Sequence, residues 1–125
     1  MKITVISTKE APAAIGPYSQ AVKTDSLVFC SGQLGINPET GEMVEGVKAQ
    51  AEMVMKNLDA VARASGTSLD KAVKTTIFLS DMANFAIVNE VYSFFFKGDK
   101  PARSTFAVAG LPKGGLVEIE AVFAL

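Results

Sequence analysis

The sequence predicts an α+β fold in which two helices pack on one face of a mixed six-stranded sheet. Two observations support this prediction. Apolar residues recur at helical spacing in two segments, one starting at Val47 and one following Asp81. Six other segments show the alternating or β-branched pattern of strands. The chain has 125 residues, a length that buries a single core, so we expect one domain spanning residues 1–125.

Three strands are predicted before the first helix. Lys2–Ser7 alternates weakly between apolar and polar residues. Tyr18–Val22 and Leu27–Ser31 are typical of a hairpin. Asn37–Gly41 has the composition of a turn, in which asparagine and glycine supply the required backbone conformations.

The two helices are predicted from apolar residues that share one face. For the first helix these are Val47, Ala51, Val54, Leu58 and Val61, with Gly66 as the C-terminal cap. For the second they are Phe85, Val88, Tyr92 and Phe95, with Asp81 ahead of the helix and an end near Gly98.

The remaining strands are predicted at Ala72–Leu79, Ala102–Ala109 and Leu116–Leu125. In the first of them Val73, Thr75, Ile77 and Leu79 should share one side. In the last, Val117, Ile119, Ala121 and Phe123 should face the helices, which leaves Leu116, Glu118, Glu120, Val122 and Ala124 on the other face. This second face is too apolar for a strand in water. It predicts contacts with other subunits and a ligand cleft at the seam between them.

Composition excludes several classes of function. The formal net charge is −1 and the basic residues are scattered singly, which argues against nucleic acid as a partner. The apolar stretch at the amino terminus is too short for a signal peptide or a membrane span, which indicates a cytoplasmic protein. The chain has no histidine, and its one cysteine, Cys30, should be a buried strand residue. A Ser–His or Cys–His nucleophile is therefore impossible, and we expect neither a metal site nor a cofactor.

Arg103 and Glu118 are the strongest candidates for chemistry. Arg103 is one of two arginines and starts an otherwise apolar strand, where a guanidinium needs an anionic partner. Glu118 and Glu120 lie on one face of the last strand. These residues suggest a small site for an acidic metabolite. The alternatives are a structural salt bridge between Arg103 and either glutamate, or glutamates that are simply solvated.

Six fragments together resemble the RidA (YjgF) family of reactive-intermediate deaminases, in order and essentially end to end. They are Gly16-Pro17-Tyr18-Ser19-Gln20, Ser31-Gly32-Gln33, Lys74-Thr75-Thr76, Val88-Asn89-Glu90-Val91-Tyr92, Pro101-Ala102-Arg103-Ser104 and Val117-Glu118-Ile119-Glu120. The resemblance implies a chorismate-mutase-like fold and a homotrimer with a central barrel and sites between subunits. It also implies hydrolysis of 2-imino and 2-enamino acids, such as 2-iminobutanoate and 2-aminoacrylate, to 2-oxo acids and ammonia.

The same resemblance implies roles for individual residues. Arg103 would bind the substrate carboxylate, and Glu118 would position and deprotonate water; these are the predicted catalytic residues. Tyr18, Gly32, Asn89 and Thr105 would complete the substrate-binding site, with the Gly32 backbone N–H on the carboxylate. Many family members carry cysteine where this chain has Thr105.

Two other functions remain open on the sequence. A trimer that only binds a 2-oxo acid or an amino acid would use Arg103 and Gly32 but would not need Glu118. A translation inhibitor acting on RNA is a label that members of this family have carried, and the charge of this chain argues against it.

Overall fold

The computed structural model describes all 125 residues and contains six strands and two helices. The strands are β1 (Thr4–Ile6), β2 (Ala21–Lys23), β3 (Leu27–Leu34), β4 (Ala72–Leu79), β5 (Ala102–Ala107) and β6 (Val117–Ala124). The helices are α1 (Val47–Ala64) and α2 (Phe85–Phe94). Single 3-10 turns occupy Leu69–Lys71, Met82–Asn84 and Pro112–Gly114.

All strands belong to one sheet in the order β1-β2-β3-β6-β4-β5. Neighbouring strands are antiparallel except β4 and β5, which are parallel and connected through α2. A parallel pair needs a long crossover connection, and a helix provides it here. The predicted mixed sheet of six strands is confirmed.

Both helices cover the same face of the sheet. On β6 the residues with odd numbers, from Val117 to Phe123, are at most 4% exposed, whereas the residues between them are half-buried or exposed. The buried residues join those of both helices in one core cluster of 23 residues. The predicted orientation of β6 is therefore confirmed, and its second face is left uncovered. Neither helix is both long and apolar enough to cross a bilayer.

The first helix ends as predicted. Gly66 has φ 88°, a left-handed conformation that favours glycine. The N–H of Thr67 bonds the carbonyl of Ala62, and the N–H of Gly66 bonds that of Arg63. This pair of bonds satisfies carbonyls at the end of α1 in the manner of a Schellman motif.

The second helix is shorter than predicted. Asp81 accepts a hydrogen bond from the N–H of Ala83 at 2.9 Å and so caps the turn that leads into α2. The helix ends at Phe94 rather than near Gly98. Phe96 is buried against Tyr92, with ring centroids 4.7 Å apart. Packing of that ring on the core takes the chain out of the helical path before the glycine is reached.

Four strand predictions need correction. β1 is Thr4–Ile6, shorter than the predicted Lys2–Ser7. β2 begins at Ala21, not Tyr18, because the buried Gln20 side chain bonds the backbone of residues 8–12 and holds this stretch as a loop. β3 runs to Leu34, past the predicted end at Ser31, with an irregularity in its register between Cys30 and Gln33. β5 ends at Ala107 instead of Ala109.

Val73 is predicted on the buried side of β4 but is 45% exposed. The register of β4 against β6 shifts between Ala72 and Lys74, which leaves Val73 as the extra residue of a bulge. From Thr75 to Leu79 the alternation is as predicted, and Thr75, Ile77 and Leu79 are buried.

Two buried amides hold together the strand ends that border the site. Asn57 on α1 donates to the carbonyls of Leu34 and Ile36 at 3.0 and 2.9 Å. Gln50 accepts from the N–H of Leu116 at 2.9 Å and donates to the carbonyl of Val44 at 3.0 Å. These bonds fix the end of β3 and the start of β6 against the same helix.

Candidate active site

A cleft of about 630 Å³ opens at the end of β3 and the start of β6. We call it the Glu118 cleft. It is lined by Pro12, Ala13, Ile15, Tyr18, Gln20, Ser31, Gly32, Gln33, Leu34, Ile36, Pro38, Gly41, Pro112, Lys113 and Glu118. Three of the predicted site residues, Tyr18, Gly32 and Glu118, therefore lie in one cleft.

The loop that carries Tyr18 is held over the cleft by two polar side chains. The Gln20 amide donates to the carbonyls of Thr8 and Pro12 at 3.0 and 2.7 Å and accepts from the N–H of Thr8 at 2.7 Å. The Ser31 hydroxyl donates to the carbonyl of Ser19 at 2.6 Å. Sequence reasoning gave neither residue a role, since a polar residue that bonds distant backbone leaves no local pattern.

Gly32 leaves the space that the Glu118 side chain occupies. A Cβ added at Gly32 would stand 2.8 Å from Cδ and 3.1 Å from Oε2 of Glu118. Real Cβ atoms do not approach carboxyl groups so closely, so any other residue would displace this carboxyl. The absence of a side chain at position 32 therefore allows the Glu118 carboxyl to lie where it does.

Burial raises the pKa of Glu118 above its ordinary value, and the nearby Glu120 carboxylate raises it further. Arg103 does not contribute to this shift. A carboxyl with a raised pKa can take up and return a proton at a pH closer to neutral than an ordinary glutamate can. Acid–base chemistry is thus available at this end of the sheet.

Arg103 lies on a separate surface with Asn89, Tyr92 and Phe85, which we call the Arg103 patch. One guanidinium nitrogen donates to Oδ1 of Asn89 at 2.7 Å. The guanidinium carbon lies 5.0 Å from the centre of the Tyr92 ring and 5.7 Å from that of Phe85. Tyr92 is itself fixed by a 2.7 Å hydrogen bond between its hydroxyl and that of Thr75. The guanidinium is exposed yet oriented, and most of its five N–H donors are free.

The two predicted catalytic residues are on opposite faces of the sheet. Arg103 pairs in register with Thr75 on β4, and Glu118 pairs with Phe78 on the same strand. Successive residues alternate between faces, so positions 75 and 78 point to opposite sides. The alternative of an ion pair between Arg103 and Glu118 or Glu120 is wrong for this chain, whose single ion pair joins Arg63 and Asp59. One chain carries both halves of the predicted site but does not bring them together.

Thr105 is two residues beyond Arg103 and on the same side of β5, opposite Ile77. Its hydroxyl is buried and has no hydrogen-bond partner. A buried hydroxyl without a partner is rare, which marks this position as unusual.

Cys30 is buried, as predicted. Burial raises the pKa of its thiol to about 12, and Glu120 adds to the rise, so the reactive thiolate is scarce near neutral pH. No three of the cysteine, aspartate and glutamate residues cluster closely enough to hold a metal ion.

Lys113 is a lining residue that sequence reasoning missed. It sits in the Pro112–Gly114 turn with φ 56° and ψ 27° and is the one non-glycine residue with a positive φ. Its signal in the sequence is the Pro-Lys-Gly-Gly run just before β6, which predicts a tight turn but no function.

Comparison with known proteins gives one consistent result. Residues 8–125 match the family described as Endoribonuclease L-PSP. A mouse protein named 2-iminobutanoate/2-iminopropanoate deaminase is 50% identical over 119 residues, which are 94% of this chain and 88% of the mouse protein.

Two solved structures have the same fold. The crystal structure of RidA from an Antarctic Psychrobacter has a TM-score of 0.96 at 49% identity and covers 98% of this chain and 99% of that one. Escherichia coli TdcF, solved with bound serine, has a TM-score of 0.94 at 42% identity and covers 98% of each chain. With the match over residues 8–125, these likenesses show that the chain belongs to the Endoribonuclease L-PSP family, which includes RidA.

Proposed function

We propose that this protein hydrolyses 2-imino and 2-enamino acids to 2-oxo acids and ammonia. The observation that supports this most is the Glu118 carboxyl, which is held beside Gly32 in the cleft and has a raised pKa. The name of the mouse relative states a deaminase activity on two such imines. The serine bound to TdcF is a small amino acid, similar in size and charge to the imino acids of this proposal.

The complete site in this proposal takes its two halves from two copies of the chain. Arg103 and Glu118 point to opposite faces, so a second copy has to bring its Arg103 patch to the Glu118 cleft. The uncovered face of the sheet supports such an assembly, because Phe29 and Phe106 are 47% and 45% exposed on it. We propose a homotrimer in which these faces line a central barrel, with a site at each of the seams.

Arg103 is proposed to bind the substrate carboxylate. Its donors form a planar fork that matches a carboxylate with two parallel hydrogen bonds. Asn89 and the neighbouring aromatic rings, such as that of Tyr92, hold the guanidinium in place before substrate binds. This lowers the conformational entropy that is lost on binding. The N–H of Gly32 and the ring of Tyr18 are proposed to contact the substrate from the cleft, and Thr105 from the Arg103 side.

Glu118 is proposed to carry the proton through the reaction. It removes a proton from water as the oxygen bonds the imine carbon, and the proton passes to nitrogen to give a carbinolamine. Glu118 then takes the hydroxyl proton and passes it to the amino nitrogen, so that the carbonyl group forms as the C–N bond breaks and ammonia leaves. A carboxyl with a raised pKa suits both steps, since it accepts the proton and gives it back. The reaction is not a redox step, and we propose that it needs no cofactor.

The alternatives differ from this proposal in what they require. A protein that only binds 2-oxo acids would need the Arg103 patch but not an acid–base group in the cleft. The description of the family names a ribonuclease. The charge of this chain, with 12 basic and 13 acidic residues, gives little support for a surface that binds RNA.

The experiment that tests the proposal measures ammonia and 2-oxo acid while 2-iminobutanoate or 2-aminoacrylate is generated in the cuvette. The protein should accelerate release of both products over the buffer rate. Arg103→Ala and Glu118→Gln should each remove most of the acceleration. A folded protein that binds 2-oxobutanoate without accelerating the reaction would favour the binding alternative, and cleavage of a labelled RNA would favour the ribonuclease.

A further inference from the structure

The turn formed by Pro112, Lys113 and Gly114 makes part of the wall of the Glu118 cleft, immediately before β6. A hydrogen bond within the turn and close packing next to it hold the turn in place. The N–H of Gly115 bonds the carbonyl of Pro112, and a Cβ added at Gly115 would stand 2.9 Å from the Leu34 side chain. The turn is therefore packed on the end of β3, and Lys113 is an exposed residue in the wall of the cleft.

The conformation of Lys113 is unfavourable for a residue with a Cβ. Its φ of 56° lies in the left-handed region that glycine adopts freely. Every other residue with positive φ in this chain is a glycine. The turn would form more easily with glycine at position 113, so the lysine side chain contributes nothing to making the turn.

Lys113 and Glu118 are the two charged residues among those lining the cleft. Lys113 forms no ion pair, since the single ion pair of the chain is the one between Arg63 and Asp59. It also has no part in the shift of the Glu118 pKa, whose causes are burial and Glu120. The ammonium group is thus free to meet an anion that enters the cleft.

The size of the cleft leaves room for such an anion. In the single chain its volume of about 630 Å³ is in the range of pockets that hold drug-sized ligands, and the substrate would share this space with the Arg103 patch of the second copy. In the proposed function the carboxylate next to the imine carbon is bound by Arg103 of a second copy. A second anionic group on the same substrate would then be the one that reaches Lys113.

We propose that the Nζ of Lys113 binds the distal carboxylate of dicarboxylic 2-imino acids, so that the protein also accepts substrates with an acidic side chain. This inference rests on the proposed function and names a substrate class for the same site. The chemistry at the imine carbon is unchanged: water adds, ammonia leaves, and the distal carboxylate takes no part in bond making.

The test compares 2-iminosuccinate with 2-iminobutanoate, each generated in the cuvette by a flavin oxidase from the matching amino acid. The quantity measured is the ratio of kcat/KM for the dicarboxylic imine to kcat/KM for the monocarboxylic one. In Lys113→Gln this ratio should fall about tenfold, as expected for loss of one charged hydrogen bond that is partly exposed to water. Lys113→Arg should keep the ratio, and so should Lys48→Gln, which removes an exposed lysine of α1 outside the cleft.

Lys113→Gly distinguishes the effect of the side chain from the effect of the turn conformation. It removes the ammonium group and suits the left-handed backbone, so it should fold at least as well as the wild type and lower the ratio as Lys113→Gln does. An equal loss on both substrates, or no loss on either, overturns the inference while the deaminase activity stands.

If the wild-type protein accelerates the hydrolysis of neither imine, the proposed function fails. The inference about Lys113 is then tested by measuring the binding of 2-oxo acids. Calorimetry then compares 2-oxoglutarate with 2-oxobutanoate. A preference for 2-oxoglutarate that disappears in Lys113→Gln supports the subsite, and equal affinities in the wild type overturn it.

Discussion

The Glu118 carboxyl lies directly over Gly32, so closely that a Cβ at position 32 would stand 2.8 Å from Glu118 Cδ. The two residues come from neighbouring strands, β3 and β6, whose register is irregular between Cys30 and Gln33. That irregularity places a residue without a side chain beneath the one acid of the cleft. The Glu118 carboxyl thus depends on Gly32 for the space that it occupies.

Gly32→Ala should lower kcat/KM by about a hundredfold, because the added methyl group moves the Glu118 carboxyl away from the position that serves the reaction. The crowded atoms are the far end of a flexible, half-buried side chain, so the unfolding free energy should change little. Gly98→Ala is the matched control, since a Cβ at position 98 meets nothing within 4 Å. Full activity in Gly32→Ala would show that the position of this carboxyl does not matter.

Glu118→Gln should stabilise the protein near neutral pH. Because the pKa of Glu118 is raised in the fold, the folded state loses stability as pH rises through that pKa, and below the unfolded value no loss remains. Glutamine removes the loss, so the melting temperature of the variant should exceed that of the parent at pH 7.5 and converge with it on acidification. Glu52→Gln, on the exposed side of α1, should show no such convergence.

Glu118→Gln also tests whether Arg103 of a second copy lies close to Glu118. If Arg103 of a second copy lies beside Glu118, it compensates part of the cost of the buried carboxylate. The gain from Glu118→Gln at pH 7.5 should therefore be larger in an Arg103→Ala background than in the wild type. Equal gains in the two backgrounds would mean that the groups do not interact, as expected from one chain alone.

Asn89→Ala should raise KM about three- to tenfold with little change in kcat, because loss of an exposed hydrogen bond to Arg103 disorders the guanidinium without removing it. Asn84→Ala, immediately before α2, removes an asparagine whose side chain caps nothing and should leave KM unchanged. An unchanged KM in Asn89→Ala would remove this residue from the substrate site.

Cys30 should resist thiol reagents in the native protein. Its pKa of about 12 and its burial keep the thiolate both scarce and inaccessible at pH 8. Reaction with a chromogenic disulfide should be complete in denaturant and negligible without it. Rapid labelling of the native protein would contradict the buried position of this strand.

Much of the fold follows from periodicity in the sequence. The helical faces, the Gly66 cap and the alternation along β6 are set by local rules, and these predictions are confirmed. The errors lie where a distant contact decides the outcome. Gln20 bonds the backbone of the preceding loop, so β2 begins later in the chain than predicted. A bulge exposes Val73. No pattern within either segment carries that information.

The sequence indicates candidate site residues but does not give their arrangement in space. The residue types of Arg103 and Glu118 indicate an anion site with acid–base chemistry. Their positions on opposite faces depend on the register of β4 with both neighbours, which the sequence does not specify. Lys113 escaped notice because a lysine in a turn is ordinarily just solvated.

A mixed assembly of Arg103→Ala and Glu118→Gln chains tests the site between copies most directly. Each variant alone should be inactive. In a closed ring of identical contacts, random mixing pairs an intact Arg103 patch with an intact Glu118 cleft at about one seam in four. Co-refolded variants should therefore recover about a quarter of wild-type deaminase activity. Mixed rings that form, as shown by a tag on one variant, yet remain inactive would contradict a site built from two chains.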